Sequence, residues 1–170
     1  MTFSARTYAP LALALSASLL IGAWIFQYGF GYAPCQMCYW QRHAHKGVIA
    51  VCVLVIIWQL AKGEGMRVGA RNLGTGLIML AFLVSAFFAL WHTGVELGFI
   101  EALPSCSGGD VDVGAIKDMD VLGSLGGNIK LPACSEVPWS LFGISMAGYN
   151  AIFSLLGAAM GMFALRGPRP

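Results

Sequence analysis

The stretch PCQMCYWQRHAHKGVIAVCVLVIIWQLA, residues 34–61, carries the two features that decide the fold and the chemistry of this chain. It opens with a proline and a C-x-x-C motif, and it later runs without a charge from Gly47 to Trp58. A membrane-spanning helix needs about 20 mostly apolar residues. The stretch therefore predicts a transmembrane helix over about 36–61 with both cysteines at its start.

Three further apolar stretches predict spans over about 10–28, 68–93 and 139–165. The first is longer than a signal-peptide core of about 7–15 residues, so we expect it to stay as an anchor. Across the 170 residues, 58% are hydrophobic and only 11% are charged, whereas about 25% are charged in soluble domains. That composition excludes a water-soluble globule and a disordered chain. We predict an all-α membrane protein, in which residues 1–170 form one four-transmembrane-helix bundle with a long loop over 94–138.

The positions of the charges predict the direction of the bundle. Seven of the eight acids lie in the long loop, together with only two lysines. Six basic residues lie at the other ends of the spans: Arg6, Lys62, Arg67, Arg71, Arg166 and Arg169. Positive residues are retained on the cytoplasmic side, so we expect both termini to be cytoplasmic and the loop to be periplasmic. The net charge of +2, without a basic tract, gives no sign of a nucleic-acid partner.

Four of the five cysteines fall on the predicted outer side, where disulfides persist: Cys35, Cys38, Cys106 and Cys134. The fifth, Cys52, lies mid-span and is expected to be an inert, small apolar residue. Proline is favoured at the first position of a helix, so Pro34 indicates that a helix starts at the C-x-x-C motif. At a helix start, the helix dipole and the unpaired backbone N–H groups stabilise a cysteine thiolate. Zinc binding is the other common role of a C-x-x-C motif. The sequence has no second cysteine knuckle to complete a zinc site, so we expect no metal.

Arg42 and His92 are the candidate residues for a ligand at the outer surface. Arg42 follows Cys38 by four residues, so both project from one helix face, where the cation favours a thiolate or holds an oxygen-bearing ligand. We therefore expect Cys38, and not Cys35, to be the persistent thiolate. His92 lies near the end of the third span, where it can hydrogen-bond or protonate a ligand between helices two and three. A purely structural role for His92 stays open. His43 and His45 are also expected near the surface, without a role.

Cys106 and Cys134 enclose a loop rich in Ser, Gly, Asp and Asn. Within it, apolar residues at three-residue spacing from Ile116 to Leu125 predict a short amphipathic helix on the membrane. The cysteine pair can be a structural staple, or it can form a two-stage thiol relay with the C-x-x-C. Thiol exchange needs an accessible sulfur, which we expect the loop to supply, whereas an apolar ligand needs the site at the helix mouth.

In this order, the motifs resemble the DsbB family of bacterial disulfide-bond formation proteins. The resemblance covers nearly the whole chain: four spans, C-x-x-C-x-x-x-R at 35–42, a histidine closing the third span, two separated loop cysteines and WSLFG at 139–143. It implies an enzyme of the bacterial inner membrane, a protein-dithiol:quinone oxidoreductase that reoxidises a periplasmic DsbA-like dithiol oxidase. The electron acceptor that it implies is a membrane quinone, either ubiquinone or menaquinone.

The resemblance also implies roles for individual residues. The catalytic pairs would be two disulfides, Cys35–Cys38 and Cys106–Cys134. The partner would attack Cys106, and the freed Cys134 would attack Cys35. Cys38 would then leave as a thiolate that faces the quinone. The implied quinone-binding residues are Cys38, Arg42 and His92.

Three other classes of protein share some of these features. A vitamin K epoxide reductase-like enzyme also links thiols to a quinone, but its loop cysteines precede the membrane C-x-x-C, and here they follow it. A b-type haem protein needs facing histidines within the bundle. A four-span scaffold with purely structural outer disulfides is the non-enzymatic alternative.

Overall fold

The structure is a computed structural model that describes residues 5–65, 67–106, 109–111 and 129–166. Within them lie four helices that are long and apolar enough to cross a membrane: α1 (Ala5–Trp24), α2 (Gln36–Lys62), α3 (Val68–Glu96) and α4 (Met146–Arg166). A π-helical segment over Ile25–Gly29 extends α1, and short 3-10 turns cover Gly63–Gly65 and Pro104–Cys106. The predicted all-α, four-helix membrane fold is confirmed.

Two short antiparallel ladders follow α3. β1 (Gly109–Val111) pairs with β2 (Ile129–Leu131), and β3 (Ser140–Leu141) pairs with β4 (Ile144–Ser145). Phe142 and Gly143 join β3 to β4 with φ angles of 51° and 78°, as a tight two-residue hairpin turn requires. Because this hairpin takes up the WSLFG motif, the fourth helix begins at Met146 and not at 139 as predicted. The predicted amphipathic helix over 116–125 lies outside the described residues.

Small residues allow the helices to approach closely in the bundle core. A Cβ atom on Gly157 of α4 would lie 2.8 Å from the Phe82 ring of α3. Gly161 similarly faces Tyr8 of α1, whose hydroxyl donates to the Gly157 carbonyl oxygen at 2.9 Å. Membrane helices associate through such contacts and hydrogen bonds, because lipid supplies no hydrophobic force between helices. Cys52 is fully buried in the same cluster, where it fills the space of a small apolar residue.

A group of polar side chains lies inside the bundle around His45 of α2. The prediction that His45 lies near the surface is wrong: it is 3% exposed, whereas His43 is exposed. His45 follows Gln41 by four residues and shares its inward face, while His43 lies between them and points outward. His45 hydrogen-bonds to Ser16 of α1 through Nδ1 at 2.9 Å and to Asn150 of α4 through Nε2 at 2.6 Å. Ser85 of α3 lies 3.3 Å from the same Nε2, so one imidazole connects all four helices.

Candidate active site

Cys35 and Cys38 lie at the start of α2 as free cysteines whose Sγ atoms are 2.9 Å apart and hydrogen-bonded. Cys35 is the N-cap residue, and its Sγ also accepts a hydrogen bond from the Cys38 backbone N–H at 3.3 Å. The hydrogen bond from the Cys38 side chain, opposed by burial and helped by His92, lowers the pKa of Cys35 from 9.0 to about 4. The N-terminal cysteine of the motif is therefore a thiolate at neutral pH when the pair is reduced.

This dithiol form differs from what the sequence predicted. We expected Cys38 to be the persistent thiolate, but Cys35 caps the helix and faces His92, so Cys35 receives the hydrogen bonds that stabilise negative charge. The Cys35–Cys38 disulfide stays a prediction for the oxidised protein. The two sulfurs already lie side by side, as a small reducible ring requires.

His92 of α3 connects the thiols to two further polar side chains. Its Nε2 lies 3.5 Å from the Cys35 Sγ and 3.8 Å from a carboxylate oxygen of Glu96, while its Nδ1 lies 2.7 Å from the Gln41 side-chain nitrogen. The Glu96 carboxylate accepts a hydrogen bond from the Ser145 hydroxyl, and its side chain is only 4% exposed. Sequence reasoning missed Gln41 and Glu96. The i, i+4 spacing of His92 and Glu96 on one helix face is the signal that could have found the carboxylate.

Arg42 is half-buried and turns toward α1. Its guanidinium donates hydrogen bonds to the Gln27 side-chain oxygen and, at 3.1 Å, to the Ala23 carbonyl oxygen. Gln27 belongs to the π-helical segment, a distortion that is frequent at functional sites. The guanidinium also lies 5.6 Å from the centroid of the Tyr39 ring. The cation therefore stays inside the bundle, where it lines the same cavity as Cys38.

Cys106 and Cys134 are joined in a disulfide whose Cα atoms are 5.1 Å apart. They are 2% and 0% exposed, and they lie in one buried cluster with Cys35, Met37 and Val95. The prediction that the loop supplies an accessible sulfur is therefore wrong for this state, because the pair packs against the start of α2 and the end of α3. The role of the pair as a catalytic disulfide stays a prediction. The spacing of the cysteines along the sequence could not show that the Cys106–Cys134 pair lies beside Cys35.

A cavity of about 390 Å³ opens beside the cysteines, with walls from all four helices. Its polar groups include Cys35, Cys38, Arg42, His92 and Glu96, and most of its surface is apolar. This size and this combination of apolar walls with a few converging polar groups are typical of a small-molecule site.

The same residues also offer a set of metal ligands. The two sulfurs and one His92 nitrogen lie within 4.8 Å of one another, and two thiolates with an imidazole suit zinc. Only the reduced cysteines can act in this way, because a disulfide has no thiolate to offer. The expectation of no metal stays a prediction.

A comparison with protein families identifies the family to which the chain belongs. Residues 5–164 match the family described as Disulfide bond formation protein DsbB. The chain belongs to the DsbB family. Membership shows a multi-pass membrane protein with an oxidoreductase role in bacterial disulfide formation, and it favours this role over the vitamin K epoxide reductase-like alternative.

Curated relatives extend this DsbB-family match over nearly the whole chain. Proteins named Disulfide bond formation protein B are 27% identical in Marinobacter nauticus (91% of this chain, 88% of the relative), 28% in Azoarcus sp. (96% and 96%) and 30% in Chromohalobacter salexigens (92% and 86%). No solved structure matches the chain.

Proposed function

We propose that this protein is a protein-dithiol:quinone oxidoreductase of the bacterial inner membrane. It would reoxidise a periplasmic DsbA-like dithiol oxidase and pass the two electrons through its two cysteine pairs to a membrane quinone. The observation that carries the proposal is the single buried cluster that holds Cys35, Cys106 and Cys134 beside the cavity. A scaffold braced by structural disulfides has no need to place two cysteine pairs together at the mouth of an apolar cavity.

The first exchange takes electrons from the partner. A thiolate of the reduced partner attacks Cys106, a mixed disulfide forms, and Cys134 leaves as a thiolate. The second partner thiolate then attacks its own half of the mixed disulfide, which frees Cys106 and releases the partner in its disulfide form. Two electrons now reside on Cys106 and Cys134. Because both residues are buried, this exchange requires the loop to open for the partner.

The second exchange moves these electrons into the membrane site. Cys134 attacks Cys35 of the oxidised C-x-x-C, and Cys38 leaves as a thiolate at the cavity wall. Cys106 then attacks Cys134, which restores the loop disulfide and leaves Cys35 as a thiolate. The electron count balances, since one disulfide forms for each that breaks. The shared buried cluster of Cys35, Cys106 and Cys134, with Cys38 packed against it, supports this exchange.

The cavity fits a quinone ring. A quinone, ubiquinone or menaquinone, would supply an acceptor for two electrons and two protons and leave as the quinol. Arg42 is a fixed cation with several N–H donors, so it suits both the Cys38 thiolate and a ring oxygen. The buried Glu96 carboxylate lies 3.8 Å from the His92 Nε2, next to the thiols, where it can hold a proton that the reacting sulfurs release.

The charges support an orientation with both termini in the cytoplasm and the cysteine pairs on the periplasmic side. Arg6 donates a hydrogen bond to the Gly63 carbonyl oxygen at 2.7 Å, so the start of α1 and the end of α2 lie together. The basic residues that flank these helices therefore gather at the end of the bundle away from the cysteines, which favours a cytoplasmic location for that end.

The test is a turnover assay with the purified protein in detergent. Reduced DsbA-type oxidase and a soluble ubiquinone are added, and the loss of quinone absorbance is followed. We expect turnover with the unchanged protein and with Cys52→Ala, a buried cysteine away from the site, and none with Cys38→Ser. An absence of quinone loss, or an undiminished rate with Cys38→Ser, would sink the proposal and leave the scaffold alternative standing.

A further inference from the structure

A continuous line of hydrogen bonds leads from the thiols into the bundle. The Gln41 side-chain nitrogen lies 2.7 Å from the His92 Nδ1, and the Asn150 side-chain nitrogen donates to the Gln41 side-chain oxygen at 2.6 Å. The Asn150 side-chain oxygen lies 2.6 Å from the His45 Nε2. The line therefore joins two histidines on different helices through two side-chain amides.

The far end of the line is anchored by three buried serines. Ser16 bonds to the His45 Nδ1, Ser85 lies 3.3 Å from the His45 Nε2, and Ser154 donates to the Asn150 side-chain oxygen at 3.2 Å. Polar groups in a membrane bundle are expensive and tend to mark functional sites.

Side-chain amides fix which partner donates in each successive hydrogen bond of such a line, since each amide has one donating end and one accepting end. Asn150 accepts from His45 and Ser154 with its oxygen, so its NH₂ group points to Gln41. Gln41 accepts there with its oxygen and must present its own NH₂ group to His92. The His92 Nδ1 is then an acceptor, and the proton of the neutral ring resides on Nε2, the atom that faces the Cys35 Sγ.

We propose that Asn150 and Gln41, anchored by His45, are positioning residues that hold His92 in the tautomer whose Nε2–H points to the Cys35 sulfur. The inference deepens the proposed function and rests on it only in treating Cys35 as a redox sulfur. An N–H donor stabilises the Cys35 thiolate in a buried site, whereas the reversed tautomer would turn a lone pair toward it. The hydrogen-bond line therefore keeps an N–H donor directed at Cys35 whenever this sulfur becomes a thiolate.

Asn150→Asp provides a nearly isosteric test. A carboxylate at this position accepts but does not donate, so Gln41 must turn its NH₂ group toward it and its oxygen toward His92, which then needs a proton on Nδ1. Nitrogen-15 NMR of histidine-labelled, reduced protein reads the protonated ring atom directly, without quinone or partner. We expect Nε2–H in the unchanged protein and a switch to Nδ1–H in Asn150→Asp. The matched control is Asn72→Asp, an exposed asparagine on α3 that should leave His92 unchanged.

Asn150→Leu removes the amide without adding a charge and should leave His92 as a mixture of tautomers. In a Cys106→Ala, Cys134→Ala background, it should also raise the midpoint of the Cys35 thiolate absorbance, by less than the roughly one to two pH units that loss of the whole hydrogen bond would give. The titratable and charged groups that face this sulfur or line its cavity are Cys38, Arg42, His45, His92, Glu96, Tyr32, Glu136 and Tyr149, and none of them is changed by the substitution.

Two outcomes would overturn the inference: Nδ1–H in the unchanged protein, or an unaltered Nε2–H in both Asn150 variants. The first of these needs no variant to fold. Because the NMR measurement involves no turnover, a failure here with intact quinone reduction rejects only the positioning line. A failed turnover assay with the expected NMR pattern rejects only the proposed function.

Discussion

The hydrogen bond between the two sulfurs of the C-x-x-C gives a quantitative prediction about Cys35. Cys38→Ala removes the donor, whereas Cys38→Ser replaces the thiol with a hydroxyl that can still donate. A hydrogen bond to a charged group contributes about 1.5–3 kcal/mol, which corresponds to about one to two pKa units. The Cys35 pKa of about 4 should therefore rise by about one to two units in Cys38→Ala and stay close to its starting value in Cys38→Ser.

The assay is a pH titration of thiolate absorbance in a background whose other cysteines, Cys52, Cys106 and Cys134, are replaced by alanine. The Cys35 pKa stays below its ordinary value of 9.0 in Cys38→Ala as well, because His92 and the Cys38 backbone N–H still donate. Equal midpoints in the alanine and serine variants would refute the reasoning. An ordinary thiol pKa in the parent background would refute it as well.

The lowered pKa of Cys35 also predicts how the stability of the reduced protein changes with pH. Since the folded protein binds the Cys35 proton more weakly than the unfolded chain, ionised Cys35 stabilises the reduced fold. This contribution is complete above pH 9.0, shrinks as the pH falls and is lost below about pH 4. Thermal unfolding of the reduced protein should show this trend, and Cys38→Ala should reduce its size. A reduced protein whose melting temperature rises toward low pH would contradict the assignment.

Three further predictions test other parts of the molecule. Arg42→Met should raise the KM for quinone by about tenfold or more, because a charge-assisted hydrogen bond is lost, whereas Arg42→Lys should retain part of the affinity in the same assay. Cys106→Ala should stop turnover with the protein partner but leave the C-x-x-C open to reduction by small dithiols, measured by thiol labelling. Gly157→Ala should lower the free energy of unfolding by about 1–3 kcal/mol, since its Cβ would lie 2.8 Å from the Phe82 ring, whereas Gly76→Ala has open space and should be neutral in the same denaturation.

The sequence predicts the fold well because each span satisfies a local rule. About 20 apolar residues with polar ends are enough to place a membrane helix, whatever the helix later packs against. The start of α4 was wrong because the β3–β4 hairpin depends on pairing between residues 140 and 145, and an apolar run does not reveal that pairing. Hydropathy measures how well a segment suits lipid and says little about where its helix begins.

The candidate site was predictable where residues share one helix face or, as for His92, lie at the predicted outer end of a span. Cys35, Cys38 and Arg42 lie within two turns of α2, so their spacing was sufficient. Gln41 meets His92, and Asn150 meets Gln41, across separate helices, and no local pattern encodes such contacts. His45 was misplaced for the same reason, because its burial depends on Ser16 and Asn150 on neighbouring helices.

The buried loop disulfide gives the proposed relay an order of events. A sulfur that a protein partner attacks has to be exposed, whereas a sulfur that meets Cys35 has to lie in the buried cluster. Cys106, which the partner would attack, is only 2% exposed, whereas Cys134 already lies in the cluster with Cys35. Under the proposed function, Cys106 therefore has to become exposed before the partner can attack it, whereas Cys134 meets Cys35 within the buried cluster. Cys35 is itself only 6% exposed, so its burial keeps this sulfur out of reach of the partner's thiols.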